Sequence, residues 1–115
     1  MEVGRDLEQR VAAFLAGHGY ATRCNVVLEG RSGGRHEIDV LAEKSDALTT
    51  FRVGVECKAW QQPIEKDVIS KLHYVAGDLG LNKAIVVSLA GCRSGAQKAA
   101  DDLAGLSGLG RAGSA

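Results

Sequence analysis

At 115 residues the chain can build one hydrophobic core and has no room for a second. Its 14 Lys and Arg cancel its 14 Asp and Glu, which excludes a protein whose overall field gathers nucleic acid; a polyanion would have to be held by a local patch, a bound cation, or two patches pooled in a dimer. No apolar run approaches the roughly 20 residues of a membrane span, no signal-peptide pattern opens the chain, and Cys24, Cys57 and Cys92 are too scattered for a zinc site or disulfides, so a cytoplasmic protein with reduced thiols is expected.

The first element is a helix from about Gly4 to Ala16, in which Leu7, Val11, Phe14 and Leu15 recur at helical spacing and Gly17 or Gly19 supplies the stop. Glu8 lies in line with Ala12 and Leu15, on the edge of that stripe and pointing inward, although an acid in a first turn is also favoured by the helix dipole alone. Tyr20 to Leu28 reads as a strand. Glu29 to Arg35 is a turn rich in Gly and Arg, whose Arg31 and Arg35 can contact phosphate or simply keep the surface soluble.

Gly33 to Trp60 carries the chemistry. Read as two strands, it puts Ile38, Val40 and Ala42 on one face and Glu37, Asp39 and Leu41 on the other. In the second strand Val53, Val55 and Cys57 face the apolar side, leaving Gly54, Glu56 and Lys58 together. Glu43 to Phe51 is a polar connection that lets the strands pair antiparallel about 4.8 Å apart, with Asp39 beside Glu56. Lys58 follows Glu56 about 6.6 Å along the strand. Two carboxylates that close repel, and one takes up a proton unless a cation neutralises both. Oxygen-only ligands select Mg²⁺, with Mn²⁺ as a substitute, over zinc. Lys58 is then placed to orient or deprotonate a water at that cation and to stabilise charge on phosphorus, while Gly54 leaves space for a substrate backbone.

Trp60 can stack on a base or pack at a strand end. Pro63 suits a first helical turn, and Val68, Leu72, Val75, Ala76 and Leu79 continue as an apolar stripe to Gly80. Lys66, Lys71 and His73 fall off that stripe; Lys66, nearest the hairpin's charged end, is the better candidate for a DNA-facing charge, and equally reads as ordinary helix surface. Ala84 to Leu89 is apolar enough for a strand covered on both faces, and Ser94 caps a short helix in which Ala96, Ala99, Ala100 and Leu103 face the sheet. The resulting order, α-β-β-β-α-β-α, predicts an α/β fold: a mixed four-stranded sheet flanked by helices over residues 1–104, then a flexible Gly/Ser-rich tail over 105–115.

The ordered set from Gly33-Gly34-Arg35-His36-Glu37-Ile38-Asp39-Val40 through Val55-Glu56-Cys57-Lys58-Ala59-Trp60, with Ala84 to Ser88 and Ser94 to Ala100 after it, resembles the PD-(D/E)XK nuclease superfamily. It is most similar to the Mrr-type restriction endonuclease domain and more distantly to archaeal Holliday-junction resolvases. The resemblance implies a restriction-endonuclease-like core and a Mg²⁺-dependent DNA endonuclease that leaves a 5′-phosphate and a 3′-hydroxyl. It also implies Asp39, Glu56 and Lys58 as catalytic residues. Asp39, Glu56, the Cys57 backbone carbonyl and Glu8 would be the cation's ligands, with Glu2 as the fallback for Glu8. Glu37 would be an accessory, water-orienting group. Relatives usually borrow base recognition from an attached domain or subunit, and cutting both strands with one site per chain favours a homodimer.

Three other readings fit the same residues. A structure-specific nuclease of repair or recombination would share every catalytic group. A catalytically inactive DNA-binding or assembly module would share the fold, although it has no use for two acids and a lysine on one face. Without nucleic acid, the cluster would be a surface ion-pair network, worth little in stability.

Overall fold

The computed structural model describes residues 3–58, 65–88 and 110–111. In chain order the elements are α1 (Val3–Gly17), β1 (Ala21–Glu29), β2 (Arg35–Ser45), β3 (Thr50–Lys58), α2 (Lys66–Leu79), β4 (Lys83–Ser88) and β5 (Gly110–Arg111). The strands form one sheet in the order β1-β2-β3-β4-β5. β1, β2 and β3 run antiparallel as a meander, and β4 then pairs parallel to β3 after the α2 crossover. This is the expected mixed sheet of four strands flanked by helices. It gains a two-residue fifth strand, since Gly110 and Arg111 pair parallel with Val87 and Ser88 inside what the composition marks as a tail. The helix expected from Ser94, and also Trp60, Pro63 and Cys92, lie outside the described residues.

Each helix covers one face. On the α1 side, Leu7 is buried against Val40, Ala42, Val53, Val55 and Cys57, with Val11, Ala12 and Leu15 packed around them. Ile85 and Val87 join this cluster, so the alternating Ala84, Val86 and Ser88 of β4 are buried on the opposite face. On that face Ile38 and Leu41 pack with Val75 and Leu79 of α2. The α2 stripe is Ile69, Leu72, Val75, Ala76 and Leu79. Gly80, at φ 69°, then adopts the left-handed conformation that ends the helix, and Leu81 N–H returns to the Ala76 carbonyl at 2.9 Å.

Three expectations are corrected. Phe14 is 66% exposed and lies against His18, because Ala12 rather than Phe14 completes the inward stripe of α1. Glu43 to Phe51 is not a loop throughout: the strands extend to Ser45 and from Thr50, leaving a turn closed by Asp46, whose carboxylate accepts the Leu48 and Thr49 N–H groups at 2.8 and 2.9 Å. Polarity misleads there because Glu43 pairs with Arg52 at 3.0 Å and Ser45 with Thr50 at 2.8 Å across the ladder. Finally, Gly54 is buried, and a Cβ on it would stand 2.6 Å from Leu81 Cδ1. Its missing side chain admits Leu81 to the core rather than a substrate.

Candidate active site

The site is a fork in the sheet. The β2–β3 ladder begins at Val40↔Val55, whereas β3 stays paired with β4 as far as Lys58↔Ser88. β2 therefore leaves β3 at Asp39, while Glu56 and Lys58 remain fixed on the sheet. At the point of departure Asp39 Oδ2 accepts the Cys57 N–H at 2.8 Å, so a carboxylate replaces the strand partner that β3 has lost.

β1 breaks at the same level. Cys24↔Val40 and Val26↔Ile38 are paired but Asn25 and Asp39 between them are not, and Asn25 has φ 55°. Val40 packs on the α1 face and Ile38 on the α2 face, so the strand reverses its facing across Asp39. This corrects the simple alternation that put Ile38, Val40 and Ala42 on one side. A left-handed residue in the neighbouring strand shifts the alternation out of phase, and sequence periodicity assumes an unbroken strand.

Between the diverging β2 and α2 lies a cleft of about 290 Å³, lined by Glu37, Ile38, Glu56 and Lys58 on one side and Asp67, Val68, Lys71, Leu72 and Val75 on the other. Lys58 Nζ is 3.3 Å from Glu56 Oε2, with the two side chains 27% and 29% exposed. Burial pushes the Glu56 carboxyl above its ordinary range; the adjacent Asp39 carboxylate adds to this and Lys58 partly offsets it. The Cys57 thiol is pushed up to about 12 by burial and then by Asp39, Glu8 and Glu56, in that order. It stays protonated and is a neutral packing group at the meeting point of three acids.

The donor set fits a hydrated divalent cation. Among the described residues no group of three or more His, Cys, Asp or Glu side chains is arranged to hold a metal ion, so a cation here would rest on two carboxylates and its own waters. Two adjoining carboxylates, one of them disfavoured as an anion, suit Mg²⁺, which keeps several waters and takes one or two carboxylates from protein. Asp39 and Glu56 would hold it, with the Cys57 backbone carbonyl beside them. Glu8 stands one step out, its Oε1 accepting the Asn25 Nδ2–H at 2.9 Å.

The structure thus brings Asp39, Glu56 and Lys58 together, with Glu37 at the same cleft and Glu8 nearby. It does not bring the three basic candidates to them: Arg31 and Arg35 lie at the β1–β2 turn and Lys66 opens α2, and none of the three is among the described residues lining the cleft. Lys71 lines it instead. Of the off-stripe residues of α2, Lys71 lies one turn before Val75, which is the signal that could have chosen it over Lys66.

The turn before β2 is anchored separately. Asp78 of α2 accepts Ser32 N–H at 2.8 Å and Ser32 Oγ–H at 2.7 Å, and it contacts His36 Nε2 at 2.8 Å. Ser, His and Asp here do not form a nucleophile relay, because both the hydroxyl and the imidazole point at the carboxylate rather than at each other. These bonds hold the Asp78 carboxyl below its usual range, His36 contributing most.

Residues 2–108 match the model of a family described as restriction endonuclease, of the Mrr catalytic type. The crystal structure of a protein of unknown function, AF1548, is similar with a TM-score of 0.72 and 24% identity, covering 91% of this chain and 56% of that one. Likeness at that identity speaks for the fold alone, and the chain spans little more than half the length of that protein. No curated protein matches the chain.

Proposed function

Because the chain belongs to the restriction endonuclease family of the Mrr catalytic type, we propose that it hydrolyses phosphodiester bonds of DNA at the sheet fork, with Asp39, Glu56 and Lys58 as the catalytic set and a divalent cation as cofactor. One observation carries this reading. Glu56 is half-buried, placed against a second carboxylate and 3.3 Å from an amine, an arrangement that disfavours its own charge and that a cation would relieve.

Asp39 is fixed by the Cys57 amide and Glu56 by a strand paired on to Lys58, so both acids are oriented before anything binds. When bound, Mg²⁺ or Mn²⁺ supplies Lewis acidity at a phosphoryl oxygen. Lys58 orients the attacking water in line with the leaving 3′ oxygen and stabilises charge developing on the phosphate. Glu37, at the mouth, is the accessory group that holds solvent in place. Lys71, on the opposite wall, contacts a neighbouring phosphate. Base recognition comes from a separate domain or subunit, and double-strand cleavage comes from a homodimer.

The test is a cleavage assay on supercoiled, linear, branched and single-stranded DNA, with Mg²⁺ and Mn²⁺ compared with EDTA. Cleavage that EDTA abolishes and that Lys58→Ala loses supports the reading; a preference for branched DNA makes the enzyme structure-specific. Absence of metal-dependent cleavage on all four substrates overturns it.

A further inference from the structure

We propose that Asn25 is a positioning residue of this site: it turns β1 at the level of Asp39 and holds Glu8 of α1 against the acid cluster. The inference rests on the reading of Asp39 and Glu56 as a cation site. Its basis is two independent observations at one residue. Asn25 has φ 55° in the middle of a strand, and among the described residues it alone has positive φ without being glycine. Asparagine tolerates that conformation better than other side chains, but it persists only where the surroundings hold it. The unmade pair it leaves opposite Asp39 coincides with the departure of β2 from β3. A turn in the chain alone would be served as well by glycine. The side chain does something glycine cannot: Nδ2–H donates to Glu8 Oε1 at 2.9 Å, linking β1 to α1.

Glu8 and Asp39 also share their neighbourhood, since both raise the Cys24 and the Cys57 thiols. With one oxygen engaged by Asn25, Glu8 keeps the other for water on the cation. It acts as an outer carboxylate that adds negative charge and hydrogen-bond acceptance without entering the ligand pair. Asn25 sets where that carboxylate points, as groups beyond the ligands do in metal sites generally.

Mn²⁺ titration of the full chain without DNA, followed by calorimetry, tests this on the native protein, Asp39→Asn, Asn25→Gly, Glu8→Gln and the Asn25→Gly/Glu8→Gln double variant. Asn25→Gly keeps the backbone conformation available and removes the amide, so Mn²⁺ affinity should fall about tenfold. Glu8→Gln should fall similarly, and the double variant should bind no more weakly than the weaker single one, because both break one link. Unchanged affinity in Asn25→Gly, or losses that multiply in the double variant, overturns the proposal while the cation-site reading stands. Should the glycine variant not fold, Glu8→Gln decides, and native affinity there overturns it too. Equal Mn²⁺ affinity in the native chain and Asp39→Asn removes the cation site and the role of Asn25 with it.

Discussion

Two carboxylates on the same side of the sheet, Asp78 and Glu56, are treated in opposite ways. Asp78 receives an amide, a hydroxyl and an imidazole, and its charge is favoured. Glu56 is half-buried next to another acid with one amine in reach, and its charge is disfavoured. The first arrangement completes itself and ties the β1–β2 turn to the end of α2. The second leaves a disfavoured charge that a bound cation would offset. The protein therefore spends hydrogen bonds holding the wall of the cleft and leaves the floor of the cleft electrostatically unfinished.

The largest expected effect comes from the unfinished side. Asp39→Asn and Lys58→Ala should each lower cleavage at least about 100-fold. Calorimetry should separate them, with Asp39→Asn losing Mg²⁺ binding and Lys58→Ala keeping it. Asp78→Ala should do the reverse, lowering the melting temperature by several degrees at neutral pH and reducing cleavage far less than Asp39→Asn. Its pH dependence has a definite sign. A carboxyl held below its usual range stabilises above that range and loses the contribution as pH falls through its lowered value, so the gap between native and Asp78→Ala melting curves should narrow in acid. Lys71→Ala should weaken DNA binding severalfold and flatten its salt dependence by about one unit of log–log slope, read from titrations at several salt concentrations.

Glu56→Gln sharpens the contrast with the smallest shift. A carboxyl raised above its usual range stabilises fully below that range and loses this as pH rises through its raised value. In EDTA at pH 7, Glu56→Gln should therefore melt slightly higher than the native chain, and the two curves should converge in acid, while its cleavage is lost. A Glu56→Gln variant that melts lower at neutral pH would mean that Glu56 is already satisfied, as Asp78 is.

How far the sequence predicts these regions follows from how local their signals are. That Asp39 comes close to Glu56 was legible from an antiparallel hairpin, a short-range rule, although the ladder stops at Val40↔Val55 and it is the Asp39 bond to the Cys57 N–H that keeps the two acids adjacent. The order of elements from α1 to β4 was legible for the same reason. The Asp78 anchor was not, because Ser32 and Asp78 are 46 positions apart and no spacing rule connects a turn serine to a late helix aspartate. Nor was the reversal at Asn25, since an asparagine between Cys24 and Val26 looks like an ordinary polar position of a strand. Gly54 was read for the space it leaves, but only the packing shows that Leu81 occupies that space.

The break at Asn25 has a further effect, because among the described residues β1 is the outermost strand of the sheet. An exposed, regular edge of nine residues is a template on which other copies can add strands and aggregate. With one residue turned left-handed at its centre, β1 offers an incoming strand two short segments out of phase with each other, so no continuous intermolecular ladder can run past the middle. The irregularity at the level of the fork thereby also works against one chain adding to the edge of another.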